Sequence, residues 1–177
     1  FDTAKTGFDI SLGLVGALLA ASVGGIGLAG TSRLAGRLDA AISSSVALQS
    51  SQEADMMHDA IRGDVLLALM GAQKRDPARI EEARKGLQEH AQTFKQALEK
   101  MQSLPLSQAT KDIVAKTLPL VSEYIGSAES TIHEIGKDID SGEKSVPSFQ
   151  AKFVELEKQM AEQSDAIEAS NVELNAQ

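Results

Sequence analysis

The residues of this sequence that could bind a ligand are few, and the best group lies between positions 55 and 62. Asp55, His58 and Arg62 follow one another at steps of three and four residues, so their side chains share one flank of a helix. The planar guanidinium of Arg62 can bind both oxygens of a carboxylate. This spacing predicts one wall of a pocket for a small molecule, such as an organic acid or an amino acid.

A simpler interpretation of the same residues is also open. Asp55 and Asp64 can neutralise Arg62 and hold helices or subunits in register, with no ligand involved. Tyr124 and Thr131 offer hydroxyl groups on a later helix, and we include them as candidate ligand-binding residues. Hydroxyls at such positions serve more often in packing or at the surface.

Catalytic and cofactor chemistry finds little support in the sequence. A di-iron carboxylate bundle needs two Glu-x-x-His pairs and further Glu residues, and only Asp55 with His58 comes near that spacing. The chain has no Cys, which removes thiol chemistry, disulfides and the common zinc sites. We therefore predict a protein that is not an enzyme and holds no metal or cofactor. A net charge of −8 argues against a nucleic-acid partner, because phosphate binding needs clustered Lys and Arg.

The elements that must position these residues are predicted to be four long helices. A first helix covers Arg33 to Gln73, and a second begins at Pro77 with Asp76 as its N-cap. Ser107 caps the third helix, which Asp140–Gly142 closes, and a fourth opens at residues 145–147 and runs to the end of the chain. Apolar residues at steps of three and four give each helix one buried stripe. The predicted fold is all-α, an up-down-up-down antiparallel four-helix bundle formed by residues 33–177 and preceded by a transmembrane helix.

That transmembrane helix is predicted at residues 10–32, a run without a charged residue. At about 1.5 Å per residue the run is about 34 Å long, enough to cross a bilayer. A secretory signal peptide is the main alternative. Residues 1–9 are then a cytoplasmic flank, and we expect a second span beyond Gln177.

Two features favour a homodimer. The run Val65–Met70 is apolar all round, which predicts burial against a partner subunit as well as the bundle. Small residues also recur every fourth position from Gly13 to Ala29, as in membrane helices that approach one another closely, although small residues are common in any membrane helix.

The segment from Ala54 to Leu66, ADMMHDAIRGDVL, is similar to the first-helix sequence of many bacterial methyl-accepting chemotaxis receptors. The order of anchor, small and polar first helix, and four-helix bundle also resembles the front part of such a receptor. The resemblance implies a dimeric periplasmic sensor that binds a small ligand between helices and signals to a cytoplasmic histidine kinase. Family members that bind amino acids carry several arginines on the first helix, whereas here Arg62 stands alone until Lys74. The ligand class therefore stays open.

We accordingly expect the sensor portion of a transmembrane chemoreceptor in the bacterial inner membrane, with its sensor domain in the periplasm. It would bind a small ligand and transmit the signal to a cytoplasmic kinase pathway. Two alternatives are the input domain of a membrane histidine kinase or cyclase, and a membrane-anchored structural helical adapter. The sequence that follows Gln177 would separate the three.

Overall fold

The computed structural model describes the backbone of residues 3–176 and the side chains of residues 35–170 and 172. The described backbone is helical and contains no strand, which confirms the all-α prediction. The helices are α1 (Thr3–Gln73), α2 (Pro77–Ser103), α3 (Gln108–Lys137) and α4 (Ile139–Ala176). Residues 1–40 form one compact unit and residues 41–177 another.

The turn between α1 and α2 confirms the predicted boundary at Asp76. The Asp76 backbone is extended, and its carboxylate accepts hydrogen bonds from the backbone N–H groups of Ala78 at 3.2 Å and Arg79 at 3.4 Å. Arg75 adopts a φ of 53°, the left-handed conformation in which a chain commonly leaves a helix. The Asp76 N–H then bonds to the Gly71 carbonyl at 2.8 Å. Each helix end therefore has its polar groups satisfied locally.

Ser107 caps α3 as the sequence predicts. Its Oγ accepts from the Thr110 N–H at 3.1 Å, and its carbonyl oxygen accepts from Lys111 N–H at 3.0 Å. The connection between α2 and α3 is only four residues long, 104–107.

The turn between α3 and α4 is tighter than the sequence predicts. The pattern places the break at Asp140–Gly142 and a new start at 145–147, but the extended residue is Asp138. Its N–H bonds to the Glu134 carbonyl at 3.0 Å, and its carboxylate accepts from the Ser141 N–H at 3.1 Å and the Ser141 Oγ at 3.0 Å. One aspartate thus ends α3 and begins α4. Gly142 is needed for close packing instead, because a Cβ there would overlap Ile135.

The core is built from the predicted stripes of the four helices. It is mostly aliphatic and small on α1, and it contains Phe only on α2 and α4. The buried stripe of α1 becomes polar toward residue 44, where Ser44, Ser50 and Ser51 replace apolar side chains. The fully or nearly buried core residues are Ala47, Ala54, Ile61, Val65, Ala68, Ala83, Leu87, Ala91, Phe94, Ala97, Leu98, Met101, Val114, Val121, Tyr124, Ile125, Ala128, Ile132, Ile135, Phe149, Phe153, Leu156, Met160 and Ile167.

The predicted inner-membrane location is wrong for the part of the chain that the structure describes. Among the residues that the structure describes, no helix combines the length and the apolar character needed to cross a bilayer. Charged residues occur between the apolar residues along the whole length of α2, α3 and α4. The predicted transmembrane helix at 10–32 lies outside the residues whose side chains are described.

Candidate functional site

His58 lies in the core where α1, α3 and α4 meet. Its ring stacks on Phe153 with centroids 4.1 Å apart and an interplanar angle of 8°. With its proton on Nε2, the imidazole donates to the Phe153 carbonyl oxygen at 3.2 Å. Tyr124 Oη donates to the His58 carbonyl oxygen at 2.8 Å, and the Tyr124 ring stacks on Phe149. We call His58, Tyr124, Phe149 and Phe153 the aromatic layer, since they tie three helices together at one level.

Burial decides the charge state of the aromatic layer. Removal from water lowers the pKa of His58 below its ordinary value. The Phe153 carbonyl and the carboxylates of Asp59, Asp55 and Glu157 raise this pKa, but by less. Burial also raises the pKa of the Tyr124 hydroxyl. Both groups are therefore neutral near pH 7, as expected for polar side chains inside a core.

Arg62 lies at the edge of this layer and is exposed. Its guanidinium carbon is 4.7 Å from the centroid of the Phe153 ring, which is cation–π geometry. Among the described residues Arg62 forms no ion pair with Asp55 or Asp64, and Asp64 bonds to His90. The guanidinium instead covers the outer side of the aromatic layer.

The other two candidates lie apart from His58 and Tyr124. Asp55 is exposed and lines a groove between α1 and α4, together with Ser51, Gln52, Glu157, Met160, Ala161 and Ser164. Thr131 is buried in α3, two helical turns beyond Tyr124. Of the predicted site residues, the structure thus joins His58, Tyr124 and Arg62 around Phe153, places Asp55 in the groove, and places Thr131 elsewhere in the core.

A buried hydrogen-bonded pair between α1 and α2 was not predicted from the sequence. His90 Nδ1 lies 2.7 Å from Asp64 Oδ2, and only 9% of the Asp64 side chain is exposed. Gly86 makes the room, since a Cβ there would overlap the Asp64 carboxylate. Burial raises the pKa of Asp64, and His90 partly offsets that effect. The two residues are 26 positions apart, so only a known helix register could have paired them.

The described side chains offer no group of three or more His, Cys, Asp or Glu residues that could hold a metal ion. The groove that contains Asp55 has a volume of about 180 Å³. Exposed polar groups of α1 and α4 face a common space there, which makes the groove a candidate binding site.

Comparison of the chain with protein-family models, curated proteins and solved structures found no match of any of the three kinds.

Proposed function

We propose that this chain is the ligand-sensing part of a signalling receptor of the chemotaxis type, and that two copies pair along α1. The observation that carries the proposal is a second apolar stripe on α1, on the side away from the core. Its large side chains are 44–60% exposed, and they share one heptad register with an exposed glycine. We call this set the outer stripe: Ile42, Met56, Gly63, Leu66 and Met70.

The outer stripe supports pairing with a second copy because of its spacing. Met56, Gly63 and Met70 follow one another at steps of seven residues, and Leu66 lies between the last two. The seam that a parallel identical helix can match is therefore continuous from Met56 to Met70, and exposed Gln49 separates it from Ile42. Gly63 lies near its middle, and a Cβ there would meet nothing within 4 Å. That open position allows two backbones to approach. Exposed apolar side chains that share one face of a helix favour a contact with another protein surface.

Antiparallel packing of the four helices is part of the proposal, and the order of contacts supports it. Along α3 and α4, residue numbers rise on one helix as they fall on the other. The pairs are Ile135 with Gly142, Tyr124 with Phe149, and Glu123 with Lys152. Helices α1 and α2 show the same order, with Gly71 near Ile80 and Asp64 at His90.

Ligand sensing is proposed because the groove and the aromatic layer are neighbours on α1. Asp55 of the groove is one turn from His58 of the layer. A ligand held by Asp55 can therefore act on a level of the bundle where three helices meet. A structural adapter would pair in the same way but bind no ligand, so a ligand titration separates the two.

Disulfide cross-linking tests the pairing. The full chain has no Cys, so Gly63→Cys and Leu66→Cys introduce single thiols on the outer stripe. Gln92→Cys places a thiol on the exposed face of α2 as the matched control. A disulfide forms only between Cα atoms about 4.4–6.8 Å apart. We expect mild oxidation to give covalent dimers of the two stripe variants and monomers of the control. Equal cross-linking at all three positions would overturn the pairing.

A further inference from the structure

The groove between α1 and α4 has acidic walls. Asp55 projects from α1 and Glu157 from α4, and the lining contains no Lys, Arg or His. Among residues 35–170, neither carboxylate takes part in an ion pair. Both carboxylates also raise the pKa of the neighbouring His58, although by less than burial lowers it. The groove therefore favours a positively charged occupant.

Ser51 adds an independent sign of a ligand. The residue lines the groove, yet it is only 5% exposed. Its hydroxyl forms no hydrogen bond with any residue whose side chain is described. Serines in helices can bond to their own backbone, but Ser51 does not, and its oxygen is not among the fully enclosed atoms without a partner, so it faces the open space of the groove. Ser51 thus presents an unused oxygen at the buried side of a space with two free carboxylates.

We propose that the α1–α4 groove binds a small aliphatic primary amine, with Asp55, Glu157 and Ser51 as the acceptors for its ammonium group. An ammonium has three N–H donors and no acceptor, and the groove offers three acceptor groups of the matching kind. Charge-assisted hydrogen bonds of this type are about twice as strong as neutral ones. Met160 and Ala161 provide an apolar wall for the alkyl part. This assignment rests on the proposed sensor function and names its ligand class.

The size of the groove sets the size of the ligand. At about 30 Å³ for each water molecule, a volume of about 180 Å³ corresponds to roughly six non-hydrogen atoms. A metal ion is a poorer occupant, because the described residues contain no cluster of three or more ligating side chains and hard cations take more oxygen ligands than two carboxylates supply. An organic acid is disfavoured by charge, and the Arg62 guanidinium that could attract one lies over Phe153 instead.

Isothermal titration of the full chain tests the assignment. The probes are 1,4-diaminobutane and n-butylamine, with butane-1,4-diol as the neutral compound of the same size and butanoate as the anion. We expect both amines to bind and the diol and butanoate to give no heat of binding. Asp55→Asn and Glu157→Gln should each weaken amine binding at least tenfold, and Ser51→Ala several-fold. Glu168→Gln removes the same charge from α4 at an exposed position outside the groove, and it should bind like the parent chain.

A second readout is the imidazole resonance of His58 in an NMR pH titration. A bound amine neutralises Asp55 and Glu157, so it should lower the pKa of His58 and leave the His133 resonance unchanged. The circular dichroism of each variant verifies that its helices are intact.

Several results would overturn the assignment. These are binding of the diol or butanoate as tight as that of the amines, amine binding that survives Asp55→Asn and Glu157→Gln, displacement of the amine by millimolar Mg²⁺ or Ca²⁺, or no amine binding at all. The cross-linking of Gly63→Cys does not involve the groove. Persistent cross-linking with binding of a different compound would leave the sensor function standing and remove only the amine.

Discussion

The imidazole of His58 is enclosed by side chains of three helices, and its ionisation is therefore linked to folding. Asp55, Asp59 and Arg62 of α1, Tyr124 of α3 and Glu157 of α4 are the ionisable groups around it. Burial is the largest influence and lowers the pKa of His58 from 6.5. The unfolded chain then binds the proton more tightly than the folded chain between the two pKa values, so stability is lost as the pH falls below 6.5.

This linkage predicts an acid-sensitive bundle. The loss can reach about 1.4 kcal/mol for each pH unit below the unfolded pKa. Urea unfolding one unit above and one unit below pH 6.5 measures it. His58→Phe keeps a ring on Phe153 and should remove most of the difference, whereas His133→Gln, at an exposed position, should keep it. An unchanged pH dependence in His58→Phe would show that His58 is not responsible.

The Asp64–His90 pair makes a second prediction, at Gly86. An added methyl group would push the Asp64 carboxylate away from His90 and leave a mostly buried charge without its partner. Gly86→Ala should therefore lower the free energy of unfolding by about 1–3 kcal/mol. Gly126 is also inside a helix but has open space around it, so Gly126→Ala should raise stability by about 0.5–1 kcal/mol. The two urea midpoints compare the effects directly. If both variants are stabilised, the packing of Gly86 against Asp64 is wrong.

At the scale of the helices, the half of the core near Gln163 differs from the aromatic layer in how its buried polar atoms are hydrogen-bonded. Ser44 Oγ, Ser50 Oγ and Gln163 Oε1 are buried and find no hydrogen-bond partner in the part of the chain that the structure describes. Gln163 Nε2 donates to the sulfur of Met101 at 3.6 Å, which is a weak acceptor. Unsatisfied polar atoms oppose folding, so this half of the bundle should open more readily than the half around His58.

Gln163→Leu tests that difference. The change replaces a buried amide with an apolar side chain of similar size, so it should raise the free energy of unfolding by about 1 kcal/mol. Gln150→Leu, on the exposed face of α4, is the matched control and should change it by less than about 0.5 kcal/mol. The measurement is urea unfolding followed by circular dichroism. A destabilised Gln163→Leu chain would mean that the amide has a partner that stabilises the fold.

The helices and their ends are easier to predict from the sequence than the candidate binding site, and the reason is physical. Caps at Asp76 and Ser107 and the apolar stripes depend on neighbours within a few residues, so the sequence displays them directly. The turn at Asp138 was missed because the role of Gly142 depends on Ile135 across the helix pair. Asp64 with His90 and Asp55 with Glu157 depend on register between helices. Sequence spacing placed His58, Asp55 and Arg62 on one helix, but it could not show that His58 faces the core while Arg62 covers Phe153.

At the scale of the whole molecule, the proposed function requires two copies of the chain. The outer stripe exposes large apolar side chains that the bundle itself does not cover. Burying them against an identical helix removes that surface from water, which favours association. The outer stripe has few large apolar side chains, and each chain carries a net charge of −8. We therefore expect a dimer that dissociates on dilution rather than a permanent one.

Sedimentation equilibrium of the full chain over a wide concentration range tests this central claim most directly. We predict a mass that rises with concentration from 18.7 kDa toward twice that value. The double variant Leu66→Gln with Met70→Gln should stay at the mass of one chain while its circular dichroism shows the parent helix content. A parent chain that remains monomeric at the highest concentration, or a double variant that associates as strongly as the parent, would contradict pairing along α1.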